Sequence, residues 1–143
     1  MTRIKSLSVK LEVILIIGLA IFGCAEVWAA DWKLYDVDGQ IIRYYDAEGI
    51  TRPSKNIARV RVRLEYTDRG VTEMVKKFGK HYENFKLIIA LNEINCSDKK
   101  IRNLSITHYS TEGKVILKAS RGSEWEYIVP QSAAETLYRF VCK

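Results

Sequence analysis

Hydrophobic and charged residues alternate most regularly between positions 57 and 66. Apolar side chains at every second position favour a β-strand, because successive side chains of a strand point to opposite faces. One face of this strand is therefore expected to be buried and the other hydrated, which is typical of an antiparallel sheet. The apolar set is Val60, Val62, Leu64 and Tyr66, and the charged set is Arg59, Arg61, Arg63 and Glu65.

Further strands are predicted on both sides of this one. The Asp38-Gly39 pair favours a tight turn, because Asp-Gly readily adopts positive φ, so residues 32–37 and 40–45 are expected to form a hairpin. Residues 47–56, which include Gly49 and Pro53, are expected to form a loop. The later strands are expected at 85–94, 104–110, 114–119 and 125–129, with turns at 95–103 and 111–113.

Two helices are predicted beside these strands. Apolar residues at helical spacing predict a helix over residues 71–85, with Asp68 as its N-cap, and packing on the sheet is preferred to a role at a membrane surface. A short C-terminal helix is predicted because Ser132 and Glu135 have the spacing of a capping box. Its apolar stripe is Ala133, Ala134, Leu137, Phe140 and Val141. A sheet with two separate helices belongs to the α+β class.

The N-terminal segment has the pattern of a cleavable signal peptide. Basic residues precede an apolar run at 13–25, and Val27 and Ala29 suit positions −3 and −1 of a cut before Ala30. The run is well short of the ~20 residues that a transmembrane helix needs, so a cleaved leader is preferred to a membrane anchor. We therefore predict a signal peptide at 1–29, one domain at 30–143, and export to the periplasm or the cell surface.

A second processing route competes with this cut. Residues 21–24 resemble a lipoprotein box, in which Cys24 would carry lipid and become the first mature residue. Phe22 fits that box poorly, so the cut before Ala30 is preferred. Association with a membrane is expected only if Cys24 is lipidated.

Cys96 and Cys142 remain once the leader is removed. Disulfides persist outside the cytoplasm, so an even pair in an exported chain is most simply one bridge. Two buried thiols or a pair of metal ligands are the alternatives. A metal site is disfavoured because metals need three or four clustered ligands.

The net charge of the chain indicates which classes of partner it could bind. The chain carries 23 basic and 17 acidic residues, a formal net charge of +6 that is spread along the sequence, so ordinary solubility is preferred to a polyanion-binding surface. Nucleic acid is not expected as a partner, because an exported domain rarely meets it. Arg59, Arg61 and Arg63 project from one strand face and are candidate contacts to a protein partner; the alternative is that this face is merely solvated.

Catalytic groups are scarce in this sequence. The two histidines are His81 and His108, and His108 shares the parity of apolar Leu104 and Ile106, which predicts a half-buried structural histidine. The sequence contains no glycine-rich phosphate loop, no Gly-x-Ser-x-Gly and no Cys-x-x-Cys-His. We expect a non-enzymatic protein without a cofactor or metal site. Covalent c-type haem is excluded, whereas haem ligation by either histidine or by a tyrosine stays open.

Several features in order resemble the surface-adhesin protein E-like family of exported bacterial proteins. The likeness spans the chain beyond the leader and is most specific at the C-terminus, where a Trp, a Pro-x-Ser and a terminal Val-Cys are combined with a mid-chain Asn-Cys. The features are Trp32, Tyr44-Tyr45-Asp46, Val60 and Val62, Asn95-Cys96 with a basic stretch to Arg102, Tyr109, Gly113, Trp125, Pro130-Gln131-Ser132 and Val141-Cys142.

This resemblance implies a bent antiparallel sheet of about six strands, with a C-terminal helix tethered by the disulfide. Residues 71–85 then stand out as a helical insertion. The resemblance also implies adhesion, with host matrix proteins, serum proteins and haem as the family's ligands. We therefore expect an exported, non-enzymatic, adhesin-like module that binds a protein partner. A periplasmic structural or accessory subunit of an envelope complex is the alternative.

The form that cells accumulate is predicted to begin at Ala30, because the site before it suits a signal peptidase better than the box before Cys24 does. N-terminal sequencing and intact mass of the protein from the cell envelope measure this directly. A lipid-modified N-terminal Cys24 would contradict the prediction.

Overall fold

The computed structural model describes residues 29–143. Cys24 and all of the predicted leader except Ala29 lie outside this range. The strands are β1 (Trp32–Val37), β2 (Ile41–Asp46), β3 (Thr51–Ser54), β4 (Ile57–Tyr66), β5 (Phe85–Asn95), β6 (Lys100–Ser110), β7 (Val115–Ala119) and β8 (Glu126–Tyr127). The helices are α1 (Asp68–Phe78), a 3-10 turn (Lys80–Tyr82) and α2 (Ala133–Val141).

The strands form one antiparallel sheet in the order β1-β2-β4-β5-β6-β7. The two short strands lie off this path, β3 beside β4 and β8 beside β6. Strands β4, β5 and β6 are the longest and occupy the middle of the sheet. The predicted α+β class, the main path of six strands and the tethered helix are confirmed.

One face of the sheet carries the core. Val62 of β4 lies opposite Ala90 of β5, which in turn lies opposite Ile106 of β6, so the inward side chains form rows across the long strands. Leu137 and Val141 of α2 are buried against this face. The remaining buried apolar residues are Ala58, Val60, Tyr82, Phe85, Ile88, Ile94 and Ile128. The alternation in β4 therefore predicted the buried side correctly.

The turn between β5 and β6 was predicted too long. Asn95 still pairs with Lys100, so only four residues, 96–99, connect the strands rather than 95–103. The Asn95 side chain accepts hydrogen bonds from the backbone N–H groups of Ser97 and Asp98, which closes a short polar turn. Polar residues that were assigned to a loop therefore belong to strands. The predicted 47–56 loop likewise contains β3, and strand 125–129 shortens to β8.

The inserted helix also differs from its prediction. Thr67, not Asp68, is the N-cap, and its hydroxyl accepts the N–H of Gly70. The α-helix ends at Phe78 because Gly79 has φ +102°, a backbone conformation that side-chain-bearing residues rarely adopt. A 3-10 turn then carries Tyr82 into the core. The helical spacing of apolar residues therefore continues past Gly79, although the α-helix itself ends before it.

Helix α2 begins at the predicted cap. Ser132 Oγ accepts the N–H of Glu135, but the Glu135 carboxylate reaches the N–H of Gln131 instead of closing the box on Ser132. The Cys96–Cys142 disulfide joins the end of this helix to the end of β5, with Cα atoms 5.6 Å apart. Tyr138 donates its hydroxyl to the Cys96 carbonyl at 3.0 Å, which adds a second tie.

Removing the bridge by a Cys96→Ala/Cys142→Ala double change is expected to loosen α2 first. A helix this short is unstable alone and depends on packing and tethering. The chain-entropy estimate for a loop of this length is a loss of about 4 kcal/mol in unfolding free energy. Urea unfolding measures that loss, and hydrogen exchange should show α2 losing protection before β4 and β5.

Tyr138→Phe is the matched control, because it removes one hydrogen bond to Cys96 and leaves the bridge in place. Its cost is expected to be ~1 kcal/mol. Unchanged exchange in α2 after loss of the bridge would contradict the tether.

A candidate binding face of the sheet

The side of the sheet opposite the core carries four arginines, and we call it the arginine face. Arg59, Arg61 and Arg63 project from β4 as the alternation predicts, and Arg102 joins them from β6. The register explains the grouping, because Arg59 lies opposite Glu93 of β5 and Glu93 lies opposite Arg102. Arg102 and Glu93 were not selected from the sequence, since the predicted turn ran to residue 103.

Glu93 is the centre of this cluster. Arg59 donates to Oε2 through Nε and Nη2 at 3.2 and 2.8 Å, and Arg102 donates to Oε1 through Nε and Nη2 at 2.9 and 2.6 Å. The Glu93 side chain is 4% exposed, whereas those of Arg59 and Arg102 are 39% and 36% exposed. Burial alone would raise the pKa of Glu93, but the hydrogen bonds from both arginines outweigh it and lower that pKa below its ordinary value.

Arg61 is held by a second buried carboxylate. Its Nη2 lies 2.6 Å from Oδ2 of Asp46, the last residue of β2. Asp46 also accepts the backbone N–H groups of Asp31 and Gly49, each at 3.1 Å. Because half of the Arg61 side chain remains exposed, the pair fixes the arginine while leaving it accessible.

Arg63 pairs with a carboxylate of its own strand, unlike the other arginines of this face. It forms an ion pair with Glu65 on the same strand through Nη2. Its Nε is buried, and among residues 29–143 it is the one buried side-chain nitrogen or oxygen without a hydrogen-bond partner. Each of the three predicted arginines therefore contacts an acidic side chain of the same domain.

Aromatic side chains lie beside these cations. The guanidinium carbon of Arg102 lies 4.5 Å from the centre of the Trp125 ring, a cation–π contact. At the other end, Trp32 and Tyr109 line a groove together with Arg63. From the sequence, these aromatic residues are identified only as parts of the family resemblance, because their positions near the arginines depend on contacts between distant segments of the chain.

The histidines lie away from the arginine face. His108 is 6% exposed, and its Nδ1 lies 2.9 Å from the Tyr82 hydroxyl, so it is more deeply buried than predicted. His81 is exposed, with its ring 4.9 Å from that of Tyr82. Within 29–143, no three His, Cys, Asp or Glu side chains are grouped as a metal site. No helix of this range is long and apolar enough to cross a membrane.

The combination of a bent antiparallel sheet and a disulfide-tethered terminal helix defines the class of domain. The family model of surface-adhesin protein E matches residues 32–143, which is most of the chain. The chain therefore belongs to the surface-adhesin protein E family. No curated protein and no solved structure matches it significantly.

Acid is expected to destabilise the domain through His108. Burial lowers the pKa of His108 below its ordinary value of 6.5, so the unfolded chain takes up the proton first. The resulting stability is complete above about pH 6.5 and falls as the pH drops from there towards the folded-state pKa, by up to ~1.4 kcal/mol per unit. Urea unfolding at a series of pH values measures this slope.

His108→Gln is expected to remove that slope, because glutamine can keep a hydrogen bond to Tyr82 without titrating. His81→Gln is the matched control and should retain it, since His81 is exposed. Equal slopes in wild type and His108→Gln would assign the acid sensitivity to other groups.

Proposed function

We propose that this protein is an exported, non-enzymatic, adhesin-like module and that a protein partner docks on the arginine face. Membership of the family supports a surface adhesin-like role. The observation that carries the docking site is the set of arginines fixed by buried carboxylates beside tryptophan and tyrosine. Arginine, tryptophan and tyrosine are the residues that most often dominate binding energy at protein interfaces.

The arginines are preorganised for such a contact. Holding a long side chain in one rotamer costs entropy when a partner binds. Glu93 and Asp46 already hold Arg59, Arg61 and Arg102, while large fractions of these side chains stay exposed. A partner would therefore meet guanidinium groups whose positions are set by the fold.

Charge and position also favour docking here. Four arginines face three carboxylates, those of Glu93, Asp46 and Glu65, so the cluster keeps one positive charge in excess. Both helices contribute their apolar residues to the core on the opposite side of the sheet. An acidic surface on the partner would complement the arginine face.

A photo-reactive residue placed at Ser105 tests the docking site. Ser105 lies opposite Leu91, which lies opposite Arg61, so it is central on the arginine face. The matched control position is Arg139 on the exposed side of α2. Irradiation of intact cells with host matrix and serum proteins should give a protein adduct at position 105 and not at 139. Equal adducts at both positions would overturn the site.

The partner captured at position 105 is then identified and purified without the cross-link. Its binding to this protein is expected to weaken as the salt concentration rises from ~0.01 M to ~1 M, because the Debye length falls from ~30 to ~3 Å. Arg59→Ser should weaken it about fivefold or more, and Arg139→Ser should leave it unchanged. Arg59 is preferred to a triple Arg59/Arg61/Arg63→Ser change, because Glu93 retains Arg102 in either case, whereas the triple change would also take Arg61 away from the buried carboxylate of Asp46. Unchanged affinity in a folded Arg59→Ser protein would refute the role of this arginine.

A further inference from the structure

A groove of about 490 Å³ opens at the end of the arginine face where β5 begins and β6 ends. Its apolar wall comes from Leu87 and Ile89 of β5 and from two aromatic side chains, Trp32 and Tyr109. Trp32 lies on β1 and Tyr109 on β6, with three strands between them. The groove therefore extends across several strands of this face.

The lining of the groove includes two cationic side chains. Arg63 and Lys86 are among the nine residues that line it, and none of the nine is acidic. The Arg63 guanidinium is only partly satisfied within residues 29–143, because Glu65 pairs with Nη2 and the buried Nε has no acceptor. Lys86 is exposed. An occupant with an apolar body and a carboxylate would match both the wall and the cations.

We propose that this groove is the anchor pocket of the arginine face and that it receives an aromatic side chain of the protein partner, with a neighbouring carboxylate bound by Arg63 and Lys86. The inference rests on the proposed function, because it assumes that a protein docks on this side of the sheet. It adds the chemistry that the partner must offer: an acidic residue next to an aromatic one.

A segment of a protein suits the geometry. A side chain entering between Trp32 and Tyr109 would be desolvated by aromatic and aliphatic surface, which is how buried interface anchors gain most of their affinity. Its flanking acidic residues would lie beside Arg63 and Lys86, the two cations of the lining. The wider arginine face could then contact the rest of the partner's surface.

Short peptides test the pocket without knowledge of the partner. The ¹⁵N-labelled protein, in the form that cells accumulate, is titrated with acetyl-Asp-Phe-Asp-amide and followed by two-dimensional NMR. Saturable shifts are expected at the Trp32 indole N–H and at the amides of Leu87 and Tyr109. The peptide without an anchor, acetyl-Asp-Ala-Asp-amide, and the charge-reversed acetyl-Lys-Phe-Lys-amide should each bind about tenfold more weakly or worse.

Arg63→Met is expected to weaken acetyl-Asp-Phe-Asp-amide about fivefold or more, because it keeps an apolar stem and removes the charge. Arg139→Met is the matched control and should not change the affinity. Spectra of the free variants show whether each remains folded. Equal binding of the charge-reversed peptide, shifts located elsewhere, or no saturable shift at millimolar peptide would each overturn the pocket.

The two proposals fail in different ways. If the peptide does not bind but a partner is cross-linked at position 105 and its reversible binding weakens with salt, the anchor pocket is overturned and the arginine face remains the docking site. Peptide binding in the groove without a partner adduct at position 105 would overturn the docking site and keep the pocket as a peptide-binding groove.

Discussion

The Glu93 carboxylate is held between the guanidinium groups of Arg59 and Arg102, which lie on the strands either side of it. A buried carboxylate without partners would be very costly, and here each oxygen accepts two N–H groups from one arginine. The three residues are directly opposite one another, so a one-residue slip of any strand would turn its charged member towards the core. The cluster therefore helps to fix the register of the three longest strands, and with it the position of every side chain on the arginine face.

Asp46 is a second buried carboxylate that ties strands together, here the N-terminal hairpin to β4. It accepts hydrogen bonds from Arg61 of β4 and from the backbone N–H groups of Asp31, before β1, and Gly49, after β2. The approach is so close that a Cβ atom on Gly49 would lie 2.2 Å from Asp46 Oδ2, which explains a glycine at that position. Removing Arg61 would take the charged partner from a carboxylate that is 2% exposed, which destabilises the fold, although less than breaking a fully buried pair would because Arg61 is half exposed. Arg61 is thus needed by the fold and available to a partner, and changes in its binding must be separated from changes in stability.

Local patterns in the sequence predicted those elements whose formation depends on residues close together in the chain. The alternation at 57–66 identified β4 and its buried side, and helical spacing with a Ser132 cap identified α2. The arginine–glutamate cluster depends instead on which residues face one another across strands, and that is set by the turn between them. The observed turn of four residues after Asn95 places Arg102 opposite Glu93. The predicted turn of nine residues included Arg102, so the pair could not be recognised from the sequence. The groove could not be predicted, because it combines residues of β1, β4, β5 and β6, and no local pattern shows that these strands are neighbours in one sheet.

Strand β5 links the two sides of the domain. Glu93 faces the arginines, the adjacent Ile94 is fully buried in the core, and Cys96 just beyond the strand is bridged to the end of α2. Arg52 of β3 adds another tie, donating to the Val141 carbonyl at 2.8 Å. The exposed side of the sheet is therefore supported from behind by a covalently attached helix. This support and the arginine–glutamate cluster act on the same strand, so a partner would meet side chains that are already positioned and spend little of its binding energy on ordering them.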